Sequence, residues 1–140
     1  MNNLYYGKLK SGLKYSVYDR TCLNTVTIVF MIKTGSRCEK KGEYGLAHFI
    51  EHMFFKGTKK RSGYQNVLED IYSIGASTNA FTSYELTAYH MTLPADELEK
   101  AIELMSDSMY NSLFLEESMI KEKLVVINEN KKGRSDPYSH

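Results

Sequence analysis

The residues in this chain best able to do chemistry form one short run, His48-Phe49-Ile50-Glu51-His52. On an α-helix, residues four apart lie on one face, one turn above each other. His48 and His52 can therefore aim two imidazoles at the same point. Glu51 sits at the edge of that face, close enough to reach a water held there. Two neutral imidazoles with a neighbouring carboxylate base are the parts that hydrolysis at zinc requires. The order H-x-x-E-H is the inverse of the familiar H-E-x-x-H zinc pattern.

A hydrolytic zinc site needs a third protein ligand and leaves the fourth position for water. The last helical stretch offers two carboxylates, Glu122 and Glu129, seven residues apart and so on one face. Glu129 follows the apolar run LVVI at 124–127. On spacing alone, each is either a ligand or a solvated surface glutamate.

The motif helix, predicted over 45–56, starts at Gly45 and stops at Gly57, with Leu46, Phe49, Ile50 and Met53 as its apolar face. Upstream, residues 4–18 read as a hairpin turning at Ser11-Gly12, and TVTIVFMIK at 25–33 reads as a central, buried strand. Cys38 to Tyr44 reads as a polar loop. Downstream come a helix over 63–73 (Val67, Leu68, Ile71, Tyr72) and extended stretches over 77–82 and 85–93. Pro94 then opens a helix over 95–111, with Leu98, Ile102, Leu104, Met105 and Met109 inward. A last helix over 116–132 carries Met119, Ile120, Leu124, Val126 and Ile127 and is ended by Ser135-Asp136-Pro137. The expected fold is α+β, a mixed and mainly antiparallel sheet with helices on one face.

Composition bounds the function. The chain has 140 residues, 42% of them hydrophobic and 25% charged, which is ordinary for one globular domain. A net charge of +1 gives no reason to expect a nucleic-acid partner, and the densest basic run, Lys59-Lys60-Arg61, reads as a solvated loop. No apolar stretch is long enough to span a membrane. No signal or transit pattern is seen at the N-terminus, so the expected location is cytoplasmic. Cys22 and Cys38 are expected as free thiols. His90 is expected to be structural and the terminal His140 to play no part in the site.

Several stretches together resemble the N-terminal catalytic domain of the pitrilysin-like, or inverzincin, zinc metallopeptidases. They are LKSGLKYSV at 9–17, KTGSR at 33–37, Glu43, GLAHFIEHMFFKGT at 45–58 and GASTNAFTSYELTAY at 75–89, with Asp136-Pro137 near the end. The resemblance implies a third ligand 77 residues beyond His52, where Glu129 stands, and an important second glutamate at Glu122. It implies one Zn²⁺ per chain held by His48, His52 and Glu129, with Glu51 as general base and Glu122 orienting a ligand. It also implies that Asn79 and Ala80 face a bound peptide and that the substrates are short or unfolded polypeptides. Phe81 and Tyr84 either line the same cleft or serve packing, and the sequence does not separate the two. In the family this domain continues further, and a second, similar domain or subunit closes over the site. The expectation is therefore a metalloendopeptidase domain, residues 1–140, lacking its C-terminal part and the second domain. The alternative is a non-catalytic or partner-dependent peptide-binding subunit of a processing-peptidase-like complex.

Overall fold

A computed structural model describes residues 3–20 and 22–135. Asp136-Pro137 and His140 lie outside the described residues. Strands β1 (Leu4–Lys8) and β2 (Lys14–Tyr18) form the expected hairpin as a sheet of their own. Strands β3 (Thr25–Ile32), β4 (Ser77–Thr82) and β5 (Thr87–Pro94) form an antiparallel sheet in the order β3-β5-β4. The helices are α1 (Leu46–Met53), α2 (Tyr64–Ser73), α3 (Leu98–Asn111) and α4 (Glu116–Ser135). The class is α+β, and every strand pairing among the described residues is antiparallel. None of the described helices is long and apolar enough to cross a membrane.

Strand periodicity explains where the core lies. On β5, Tyr89, Met91 and Leu93 point to one face and are buried, meeting Phe54, Val67, Ile71, Ala101, Leu104 and Met105 from the helical layer. Phe54 stacks on Tyr89 with ring centroids 3.9 Å apart. The register sets Ala80 opposite Tyr89 and Asn79 opposite His90. Ala80 therefore faces the helices, whereas His90 and Asn79 belong to the other face.

Several expectations need correction. The run 25–33 is an edge strand rather than the central one. Only alternate residues, Val26, Ile28 and Phe30, pack on the core, and Val29 and Met31 are exposed. The central strand is β5, whose apolar signal is diluted by Thr87, His90 and Thr92. On α1, Leu46 and Ile50 are exposed, and Ala47 is buried with Met53. Tyr72 and Ile102 are exposed, as are Ile120, Leu124 and Ile127 of α4. In α4 the buried apolar residue is Val126, because the helix meets α1 along one face and the other three stand away from it.

The basic loop is also more than a solvated face. Arg61 donates to Asp70, Glu103 and Asp107 at 2.6, 2.6 and 2.7 Å. Thr58, fully buried, donates to Asp107 at 2.5 Å. This network ties the segment leaving α1 to α2 and α3. Burial is the largest influence on Asp107 and pushes its carboxyl up, but hydrogen bonds from Thr58, Asn111 and Arg61 hold it below the usual aspartate value. A carboxylate lowered by folding contributes stability above its unfolded pKa of about 4, lost as pH falls through the lower folded value. Asp107→Asn is therefore expected to cost roughly 2 kcal/mol at neutral pH. Urea unfolding of the variant should show a flatter decline below about pH 4 than the parent.

Candidate metal centre

The motif helix begins where the backbone allows it. Gly45 is in the left-handed region at φ 90°, and the side chain of Glu39 reaches back to the helix start. Its Oε2 accepts the Gly45 N–H and its Oε1 the Ala47 N–H, both at 2.8 Å. These are unpaired donors of a first turn, and a carboxylate there also meets the positive end of the helix dipole. The loop expected to be merely polar thus fixes the helix that carries the motif.

Opposite lies α4. His52 Nε2 is 3.1 Å from His48 Nε2. Glu129 Oε2 is 3.5 Å from His48 Nε2 and 3.4 Å from His52 Nε2. A tetrahedral zinc with bonds of about 2.1 Å spaces its ligand atoms about 3.4 Å apart. Two ring nitrogens and one carboxylate oxygen therefore already stand near three corners of such a tetrahedron. Two nitrogens and one oxygen are also a donor set that zinc accepts.

The other ring nitrogen of His52 settles which of its atoms faces this point. His52 Nδ1 is 3.0 Å from Glu122 Oε2, and Glu122 Oε1 accepts from Lys56 Nζ at 2.6 Å. With its proton on Nδ1, donated to the carboxylate, His52 presents the Nε2 lone pair toward His48 and Glu129. Burial is the largest influence on Glu122 and raises its carboxyl. Hydrogen bonds and charge from Lys56 and His52 outweigh it, and the group stays below the usual glutamate value. Lys56 also lies over the Tyr64 ring, 4.5 Å from its centroid.

Glu51 extends beside the imidazoles and accepts the Thr82 hydroxyl through Oε2. Beneath it, burial first and the Glu51 charge second push the Tyr89 phenol up, so that phenol stays protonated. An open cleft of about 470 Å³ adjoins Glu51 and His52 and is bordered by Phe55, Leu68 and the β4 stretch Ser77–Ala80.

All five motif and carboxylate residues singled out in the sequence meet here, and Asn79 and Ala80 border the same cleft. Among the described residues Phe81 and Tyr84 do not line it. Phe81 shares the outer face of β4 with Asn79 but is exposed beyond the end of the cleft, and Tyr84 is exposed in the β4–β5 turn. His90 also lies on that face, away from the cluster. Glu39, Lys56 and Thr82 were not found by sequence reasoning. Lys56, one turn beyond His52, had a usable spacing signal. Glu39 and Thr82 act across loops and carried none.

Residues 17–139 match the model of a family described as Insulinase (Peptidase family M16), and the chain belongs to that family. It is 40% identical over 135 residues to a zinc protease of Rickettsia bellii, a match covering 96% of this chain and 32% of the relative. It is 41% identical over 121 residues to the β-subunit of the human mitochondrial-processing peptidase, covering 86% of this chain and 24% of that subunit. The fold superposes on a protease from Helicobacter pylori with a TM-score of 0.91 at 26% identity, covering 99% of this chain and 33% of that one. The chain thus spans about a third or less of these relatives.

Loss of the Glu39 cap should be measurable without any metal. Glu39→Ala leaves two helix-start donors without their carboxylate and is expected to lower stability by about 1–2 kcal/mol in urea unfolding. A change below about 0.3 kcal/mol would show that the cap contributes nothing.

Proposed function

We propose that this chain is the catalytic zinc-binding domain of a metalloendopeptidase, with one Zn²⁺ held by His48, His52 and Glu129. The observation that carries the reading is the convergence of His48 Nε2, His52 Nε2 and Glu129 Oε2 at 3.1 to 3.5 Å. Zinc, when bound, supplies Lewis acidity that polarises a peptide carbonyl and makes a water acidic near neutral pH.

The chain's own residues do the rest. Glu51 acts as general base, accepting the proton of the attacking water and later giving it to the departing amine nitrogen. Glu122 holds His52 through Nδ1, fixing the ring's tautomer and direction, and Lys56 holds Glu122 in turn. Substrate docks along β4. In the order β3-β5-β4 that strand has a free edge among the described residues, next to the cleft. The Ala80 N–H is taken by Asn79 Oδ1 at 2.8 Å, and a peptide carbonyl docking along β4 would displace that side chain to reach it. Pairing of this kind uses backbone groups and tolerates many side chains, which suits short or unfolded polypeptides.

A partner-dependent form of this reading, in which a second domain or subunit completes the cleft, is supported by the open side of the metal point. Glu129 is about half exposed, so the metal point is open on that side. A second peptidase-like domain or subunit would close the cleft there.

Three outcomes are expected. Zinc-reconstituted chain binds one metal ion, and His48→Ala or Glu129→Gln loses it in elemental analysis. Glu51→Gln keeps the zinc but lowers hydrolysis of a quenched fluorescent peptide by roughly 10²–10⁴-fold. A chelator abolishes hydrolysis in the parent. An unchanged rate in Glu51→Gln would remove Glu51 from its role. Stoichiometric zinc without cleavage, restored when a second domain is supplied, would favour the partner-dependent form.

A further inference from the structure

We propose that Thr82 is a positioning residue for Glu51, its hydroxyl holding the carboxylate in the orientation that proton transfer requires. The inference rests on the reading of Glu51 as general base. Thr82 Oγ1 donates to Glu51 Oε2, and it is the only side-chain hydrogen bond made by Glu51 among the described residues. A glutamate side chain has three rotatable torsions, so a carboxylate at the surface of α1 does not stay in one place unless something holds it. With Oε2 held by Thr82, Oε1 is left free to accept a proton.

The donor is itself fixed. Thr82 pairs with Thr87 in the last register position of β4 and β5 before their turn. Thr87 Oγ1 is 3.5 Å from Thr82 Oγ1 but donates to the Thr34 carbonyl at 2.9 Å. Each hydroxyl has one proton, and these two have separate acceptors. The turn is closed by Ser83 N–H to the Leu86 carbonyl at 2.8 Å. It is clamped from outside by Ser36 N–H to the Ser83 carbonyl and Arg37 N–H to the Tyr84 carbonyl, both 3.0 Å. Gly35 permits this approach, since a Cβ there would stand 2.3 Å from the Ser83 carbonyl oxygen. The hydroxyl is thus held by a strand, a turn and a loop, as preorganised positioning demands.

The link also joins two parts of the site that the chain keeps far apart. Glu51 and Thr82 are 31 residues apart, one on α1 and the other on β4. Asn79 and Ala80, which border the cleft, precede Thr82 on the same strand. A peptide laid along β4 is therefore registered to the base through a rigid strand, and the reacting carbonyl and the carboxylate are set against one frame.

Thr82→Val removes the hydroxyl at nearly constant shape, and Thr82→Ser keeps it. In the zinc-loaded protein, with a second domain supplied if cleavage requires one, Thr82→Val should lower kcat roughly tenfold. KM, zinc content and unfolding midpoint should stay at parent values, and Thr82→Ser should recover most of the loss. Wild-type kcat in Thr82→Val, or a loss confined to KM, would overturn the proposal. A readout free of turnover accompanies it, the crystal structure of Thr82→Val. The Glu51 carboxylate should leave its parent position, and an unmoved carboxylate would overturn the proposal. If Glu51→Gln leaves hydrolysis unchanged, the general-base reading fails, and the crystal structures still decide whether Thr82 holds Glu51.

Discussion

The packing of α4 against α1 is the contact on which the site depends. It brings a carboxylate to within 3.5 Å of two imidazole nitrogens that lie 77 to 81 residues earlier in the chain. As three lone pairs these atoms would repel one another, and either a proton on a ring nitrogen or a cation among them relieves that repulsion. Part of the compensation is visible in the pair Lys56 and Glu122. They join α4 to the segment just beyond α1 at 2.6 Å, and Glu122 orients His52 from behind. The rest, in the proposed account, is supplied by the metal, whose binding then also stabilises the helix pair.

Around that contact the fold is arranged to hold α1 still. Glu39 secures its first turn, Phe54 and Met53 anchor its far end in the core, and the Arg61 network fixes the segment that leaves it. The sheet contributes through β4, the strand that both borders the cleft and bears the Thr82 hydroxyl. Residues that face solvent on the outer side of α4, such as Ile120 and Leu124, take no part in this arrangement.

The pairing of His48 with His52 was the most legible part of the candidate site, because helical spacing alone sets them on one face. Spacing could not choose between Glu122 and Glu129. What distinguishes the two is which side of His52 each one meets, and that is set by how two helices pack. The elements themselves were readable from periodicity, yet their order was not. A run such as 25–33, rich in β-branched residues, marks a strand but does not say whether it has one neighbour or two. Likewise Ile120, Leu124 and Ile127 follow helical spacing without showing whether anything covers them. Arg61 and Thr82 illustrate the same limit for polar residues, whose importance arises from partners that are remote in sequence.

The central claim is a first coordination sphere of two imidazoles and one carboxylate. Zinc-edge X-ray absorption of the reconstituted chain tests it most directly. The account predicts four light scatterers at about 2.0–2.1 Å, with the outer-shell pattern of two histidine rings. A sulfur shell at about 2.3 Å, or an oxygen-only shell without imidazole, would contradict it.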